Sequence, residues 1–394
     1  MKYLVVFLLF FINISSGQVL KENKEFLKNK SDFLKNKIED VFVDGNQIYF
    51  SILKDQKLNA NDGHDRTFIL KNIDGVEFNL RMNEIPIGVA NNKLCTFFYA
   101  GQYGGDLIIY EIEQSKLVKK SLLELSTSFF AEILESGLVV VSDGGHSGSD
   151  YIALYSDNLE LIHRFVPFTN VFDAAYGSNE NYIVFIGKKR SDPTIKIALY
   201  GASGKDGLVG SSEVIIEPNY LIAATEVVGK NIVILLSNAK DGSSKILLID
   251  DKLNLIKNQN IPYGVSQHKI VESKFKFYVN TFYAIYAFDI ESGNLVDVIK
   301  KEYDKAIRTK YGYRFTGSEL FALKQNKLLL LEATYEDKEE NINDVVIKII
   351  ETTTTYLLQS ITSDKLFKEN LNLKPFSDGV ILFSNKDVLF FEND

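Results

Sequence analysis

Short apolar runs recur along the chain at a nearly constant interval, each introduced by turn-forming or polar residues. They begin at Gln47, Lys93, Leu138, Tyr182, Asn231, Phe275, Lys327 and Gly379, with steps of 46, 45, 44, 49, 44, 52 and 52 residues. After each run comes a polar loop and a second run, richer in β-branched and aromatic residues, as in Leu107-Ile-Ile-Tyr, Lys196-Ile-Ala-Leu-Tyr and Ala284-Ile-Tyr-Ala-Phe. Such runs read as strands. Several lead through Asp, Asn or Gly turns into a further strand, for example Asp157-Asn158 before Leu159 and Glu291-Ser292-Gly293-Asn294 before Leu295. Hairpins need residues tolerant of positive φ there.

Units of about 47 residues, each with four short strands and no helical periodicity, predict an all-β fold: a single β-propeller of about eight four-stranded blades. Tandem β-sandwiches would show larger units and linkers. Four of the six prolines, Pro86, Pro167, Pro218 and Pro262, fall where one unit hands over to the next, which suits a residue that cannot donate to a ladder. The propeller is expected over 40–394. Its last unit stops after a third strand, so the segment 18–39 is the candidate to complete the ring. Within it Phe26-Leu-Lys-Asn-Lys recurs as Phe33-Leu-Lys-Asn-Lys, a seven-residue step that suits a short helix, so strand and helix both stay open. If the terminal units merge, the count falls to seven blades.

The first residues change where this propeller is expected to work. A basic start at Lys2, an apolar run from Leu4 to Ile14 and small residues at Ser15 and Gly17 read as a signal peptide over 1–17, cleaved before Gln18. The run is too short to span a bilayer comfortably, and no later run is longer, so no membrane span is expected. A secreted product is expected, or a periplasmic one in a bacterium. The 44 basic side chains less Lys2 leave 43 against 52 acidic ones, a net charge of about −9 with neutral histidines. That balance argues against a nucleic-acid partner. The lone Cys95 sits in an apolar run and reads as a core residue. Asn29-Lys30-Ser31 is a glycosylation acceptor sequence if the source is eukaryotic.

Tyr286-Ala-Phe-Asp-Ile-Glu-Ser-Gly-Asn-Leu-Val296 resembles the strand-turn-strand hallmark of the quinoprotein-like and WD40/YVTN-like propeller superfamily, with weaker echoes at 250–255 and 112–118. The resemblance implies the fold and carries little chemistry. Quinoprotein dehydrogenases close their repeats with a tryptophan motif and stack the cofactor against a vicinal cysteine pair. This chain has no tryptophan and one cysteine, so pyrroloquinoline quinone (PQQ) is not expected. The Gly-His and Trp-Asp pairs of WD40 repeats are missing too.

In propellers the loops between second and third strands gather on one face, and here they have the chain's most unusual composition. They hold Asp62, His64 and Asp65, then Tyr103 and Asp106, then Asp143, His146 and Asp150, then Arg190. Histidine beside carboxylate suits a divalent metal or general-base work, and loop glycines let a ligand approach the backbone. Hairpin chemistry explains the aspartates and glycines without any site, although not the paired histidines. His163 reads as a surface residue of an outer strand, and His268 as a channel candidate. The acidic stretch 335–344 reads as a solvated excursion. No nucleophile elbow, Walker loop, Cys-x-x-Cys or His-Glu-x-x-His is present. The expectation is a non-catalytic binding module that presents its loop face to a protein, glycan or small ligand. The alternative is a metal-assisted hydrolase or lyase at the channel mouth.

Overall fold

The computed structural model describes residues 20–22, 37–58, 64–99, 104–125, 129–143, 150–169, 172–189, 192–203, 207–262, 264–281, 283–301, 306–309, 312–323, 327–336, 341–351, 357–363, 367–368, 372–376, 379–383 and 388–393. Among them there is no helix, and none is long and apolar enough to cross a membrane. The strands form eight antiparallel sheets: seven consecutive ones over 37–82, 84–125, 129–165, 173–215, 220–261, 265–300 and 306–368, and an eighth from 372–393 joined by 20–22. The fold is an eight-bladed β-propeller. In most blades the strands run in sequence order from first to fourth. First strands of neighbouring blades touch one another around the ring, so they surround the axis and the fourth strands form the rim.

The core is divided by seam. Eight separate clusters of buried hydrophobic side chains lie one between each pair of adjacent blades. In the fifth blade Ile232, Ile234 and Leu236 pack toward the fourth blade, while Val233 and Leu235 pack toward the sixth. Alternate side chains of one strand enter different seams. Second strands therefore carry unbroken apolar runs, which is why their rhythm is so plain in the sequence. The rim is different: Leu255–Ile261 alternates exposed and half-buried positions. Register shifts recur near the start of fourth strands, opposite Leu154/Tyr155, Leu199/Tyr200, Leu248/Ile249 and Ala287/Phe288. Such bulges disturb an edge that would otherwise recruit another strand.

The ring is closed by the N-terminal segment. Leu20–Glu22 pairs antiparallel with the third strand of the eighth blade, Leu20 opposite Asn393 and Glu22 opposite Phe391. The eighth seam then packs Ile381, Phe383, Val388 and Phe390 against Ile38, Val41, Ile48 and Phe50 of the first blade. The first blade begins at Lys37. The repeated Phe-Leu-Lys-Asn-Lys segments lie outside the described residues apart from that lysine.

Two local expectations need correction. The acidic stretch is a hairpin rather than an excursion, because Thr334, Tyr335 and Glu336 pair with Asn343, Ile342 and Asn341, and Phe367–Lys368 adds to it. Main-chain pairing satisfies polar backbone groups that a free loop would leave to water. Pro86 lies within the first strand of the second blade, beside a register shift at Gly88, where its missing N–H is tolerated. Pro167, Pro218 and Pro262 lie in the connections between blades.

Candidate functional site

Antiparallel order gives the propeller two unlike faces. Turns from first to second and from third to fourth strands lie on one, the turn face. Connections from second to third strands, with the crossings between blades, lie on the other, the loop face.

Five of the nine residues singled out by the sequence, His64, Asp65, Asp106, Asp143 and Asp150, are described, and they stand at the loop-face ends of strands in the first three blades or just beside them. His64 starts the third strand of the first blade, opposite Leu58, and Asp65 follows opposite Lys57. Asp65 is half-buried and its Oδ1 accepts the Asn83 side-chain amide at 3.0 Å. Asp106 is half-buried in the second blade between Phe98 and Glu124. Asp143 ends the second strand of the third blade, opposite Tyr151, and Asp150 is exposed just before that tyrosine. Asp62, Tyr103, His146 and Arg190 lie outside the described residues. His64 belongs to the first blade, and position 146 falls in the sequence between the second and third strands of the third. Among the described residues no three His, Cys, Asp or Glu side chains are grouped to hold a metal.

One residue ties the first two blades at this face. Asn83, in the left-handed region at φ 65, donates its N–H to Arg66 O at 2.7 Å, and its Oδ1 accepts the Arg66 N–H at 2.9 Å. Beside it Glu84 is fully buried and accepts from Thr96 Oγ1 at 2.6 Å and Arg81 Nε at 3.0 Å. The Arg81 guanidinium also lies over the Phe98 ring, 4.2 Å from its centroid. A buried carboxylate is tolerable only when satisfied in this way. Around this face Met82, Tyr99, Val166, Ile215 and Tyr283 are exposed.

The turn face is sewn across its seams. Asp44 of the first blade accepts the backbone N–H groups of Asn91 and Asn92, at 3.1 and 2.8 Å. Both asparagines have positive φ, as a two-residue hairpin turn requires. Asn91 Nδ2 donates in turn to Glu135 O of the third blade, and Lys93 pairs with Asp157. Farther round, Asn179 Nδ2 reaches Gly229 O at 2.8 Å and Asn231 Nδ2 reaches Ile290 O at 2.7 Å.

First strands also carry carboxylates that the sequence reading did not select. Glu132 accepts from Tyr176 of the next blade. It keeps contact with solvent but is walled by protein, and this burial raises its carboxyl against the opposing pull of Lys374 and Lys269. Glu226 is pushed up to about 7, chiefly by burial. Burial raises Glu272 as well. A glutamate between alanine, threonine and valine, as in Ala-Thr-Glu-Val, reads in sequence as one solvated position; only ring closure puts it beside a neighbouring blade.

The remaining candidates are structural. Cys95 is buried, and burial pushes its thiol up to about 12, which leaves it a poor nucleophile. His163 is in an outer strand as expected, but it is half-buried and stacked on Tyr200, ring centroids 4.5 Å apart. The aromatic shelf of the fourth blade covers the ring and lowers its pKa. His268 lies in the first strand of the sixth blade; its side chain lies outside the described residues.

No protein-family model matches the sequence, and a comparison with curated proteins finds no relative. Solved structures are similar in shape. The Dos1 propeller matches with a TM-score of 0.53 at 10% identity, covering 92% of this chain and 94% of that one. A structure described as the eukaryotic initiation factor matches at 0.52 and 13% identity, covering 84% of this chain and 79% of that one. The WD40 domain of SCAP from fission yeast aligns at 0.39 and 9% identity, covering 79% of this chain and 95% of that one. The chain is thus an eight-bladed β-propeller similar in shape to the Dos1 propeller, a likeness that speaks for the fold alone.

Proposed function

We propose that the chain is a secreted or extracytoplasmic, non-catalytic interaction module that binds a protein partner through its loop face. The observation that carries this reading is the inequality of the two faces. Turn-face hairpins are tied to their neighbours by side chains such as Asp44, Asn91 and Asn179. On the loop face Tyr99, Met82, Ile215 and Tyr283 stay exposed, and exposed tyrosine and methionine are favoured where proteins meet. The paired strands of the first and seventh blades also run long there, to Leu58 and to Glu336, and so stand above the eighth blade between them. Secretion is supported by the composition of Met1 to Gly17.

The test uses the protein from its native source. A photocrosslinking side chain at Tyr99 or Tyr283 is expected to capture a partner that the same probe at Phe275, exposed on the turn face, does not. The purified partner should then bind Tyr99→Ser at least tenfold more weakly. Capture from Phe275 alone would refute the assignment of the face. N-terminal sequencing of the exported protein should begin at Gln18.

A further inference from the structure

The fifth blade is clasped from both sides at the turn-face end of the channel. On one side Gly177 of the fourth blade lies so close that a Cβ there would sit 2.6 Å from the Cα of Glu226 and 2.8 Å from Thr225 O. Two first strands are in near-backbone contact at that point. Glu226 Oε1 completes the join by accepting the N–H of Ser178 across the seam and of Val227 beside it, both at 3.1 Å. On the other side Glu272 Oε1 of the sixth blade accepts the N–H of Gly229 at 3.1 Å. The fifth blade's turn also takes the Asn179 amide on Gly229 O at 2.8 Å.

Both joins use a carboxylate in a half-buried place, and the two carboxylates repel. The charged neighbours that act on Glu226 are Glu272 and Lys269, both from the sixth blade; Glu180, in the turn of the fourth blade, acts on Glu272. The fourth blade's first strand meets Glu226 through the Ser178 N–H. Lys269 acts on Glu132 as well as on Glu226, and it also lies over the Phe321 ring. Ionising Glu226 and Glu272 together leaves two negative charges in half-buried places, which poorly solvated surroundings penalise. Taking up one proton removes both a buried charge and a repulsion. The Ser178 and Val227 N–H groups favour the ionised form, but burial outweighs them, and the carbonyl oxygen of the neutral acid still accepts both.

We infer that the paired seams flanking the fifth blade form a pH-responsive clasp, which proton uptake by Glu226 tightens as the surroundings turn from mildly alkaline to mildly acid. The sign follows from linkage. Glu226 holds its proton up to about pH 7 when folded, and an unfolded glutamate loses it near 4.3. The folded chain therefore binds more protons between those values, so stability rises as pH falls through 7 and levels off near 4.3.

The experiment is thermal unfolding of the full chain at pH 8 and pH 6, for the wild type and Glu226→Gln. The wild-type midpoint is expected to rise by about 1–2 °C on acidification, beyond whatever rise remains in the glutamine variant. The variant should be the more stable of the two at pH 8. An equal pH response in both proteins, or a Glu226→Gln midpoint at pH 8 well below wild type, would overturn the clasp. Amide exchange in the wild type gives a check independent of the variant. Protection at Ser178 and Gly229, corrected for intrinsic rates, should increase from pH 8 to pH 6, and unchanged protection would also overturn it.

Discussion

The two mouths of the channel are built from the same strands but spend their polar groups differently. At the turn mouth Asp250 and Asp289 cap their own turns, while Asp44, Asn91, Asn179, Glu226, Asn231 and Glu272 bond to neighbouring blades. Each of those bonds needs the next blade in place, so that mouth is a consequence of closure. At the loop mouth the bonds mostly anchor the chain to itself, as Asp241 and Asp192 do by accepting the N–H groups of Ser243 and Thr194. A face whose side chains are not committed to the ring is free for something else.

The comparison is sharpest where it fails, at the junction of the first and second blades. Glu84 belongs to the loop side yet is wholly buried and shared between Arg81 and Thr96. Glu84→Ala should cost about 1–3 kcal/mol by leaving the buried Thr96 hydroxyl without its acceptor, read as a loss in denaturant midpoint. An effect near that of a surface substitution would put this junction among the dispensable ones. Gly177→Ala follows, at about 1–3 kcal/mol, because the added methyl group meets backbone and not a yielding side chain. Asp44→Ala removes the acceptor of two N–H groups at the first seam and should cost about 1–2 kcal/mol. Asp150→Ala, at an exposed loop-face position, should stay within about 0.5 kcal/mol.

His163 supplies a slope of opposite sign to that of Glu226. Burial holds its folded pKa below the ordinary value. The stability it contributes is therefore present above the unfolded pKa of about 6.5 and is lost as pH falls below it. A His163→Phe variant should lose less stability than wild type between pH 7.5 and 5, measured by denaturant titration. An identical loss would mean that the ring titrates over the same pH range folded and unfolded.

What could be read without coordinates follows the same division. Second and third strands were legible because both faces of each are buried in different seams, which forces long apolar runs such as Asn231-Ile-Val-Ile-Leu-Leu. First strands were not, since one side turns to the channel. Asp173-Ala-Ala-Tyr-Gly-Ser is half-buried almost throughout and carries no period to count. The ring-closing strand was visible only as a deficit, a last unit one strand short, because Leu20-Lys21-Glu22 has no pattern of its own. Loop residues were selected for composition, and composition marks hairpin turns as readily as sites. Glu226 and Glu272 gave no such signal, for their surroundings come from blades far along the chain.

Leu20–Glu22 also bears on how the chain folds. It precedes the first blade, while its partner, Phe391–Asn393, belongs to the eighth. The first blade depends on the same closure, since Ile38 and Val41 find their packing partners in Val388 and Phe390. Closing the ring is thus a contact between segments far apart in the chain, the kind of contact that costs most loop entropy and slows folding.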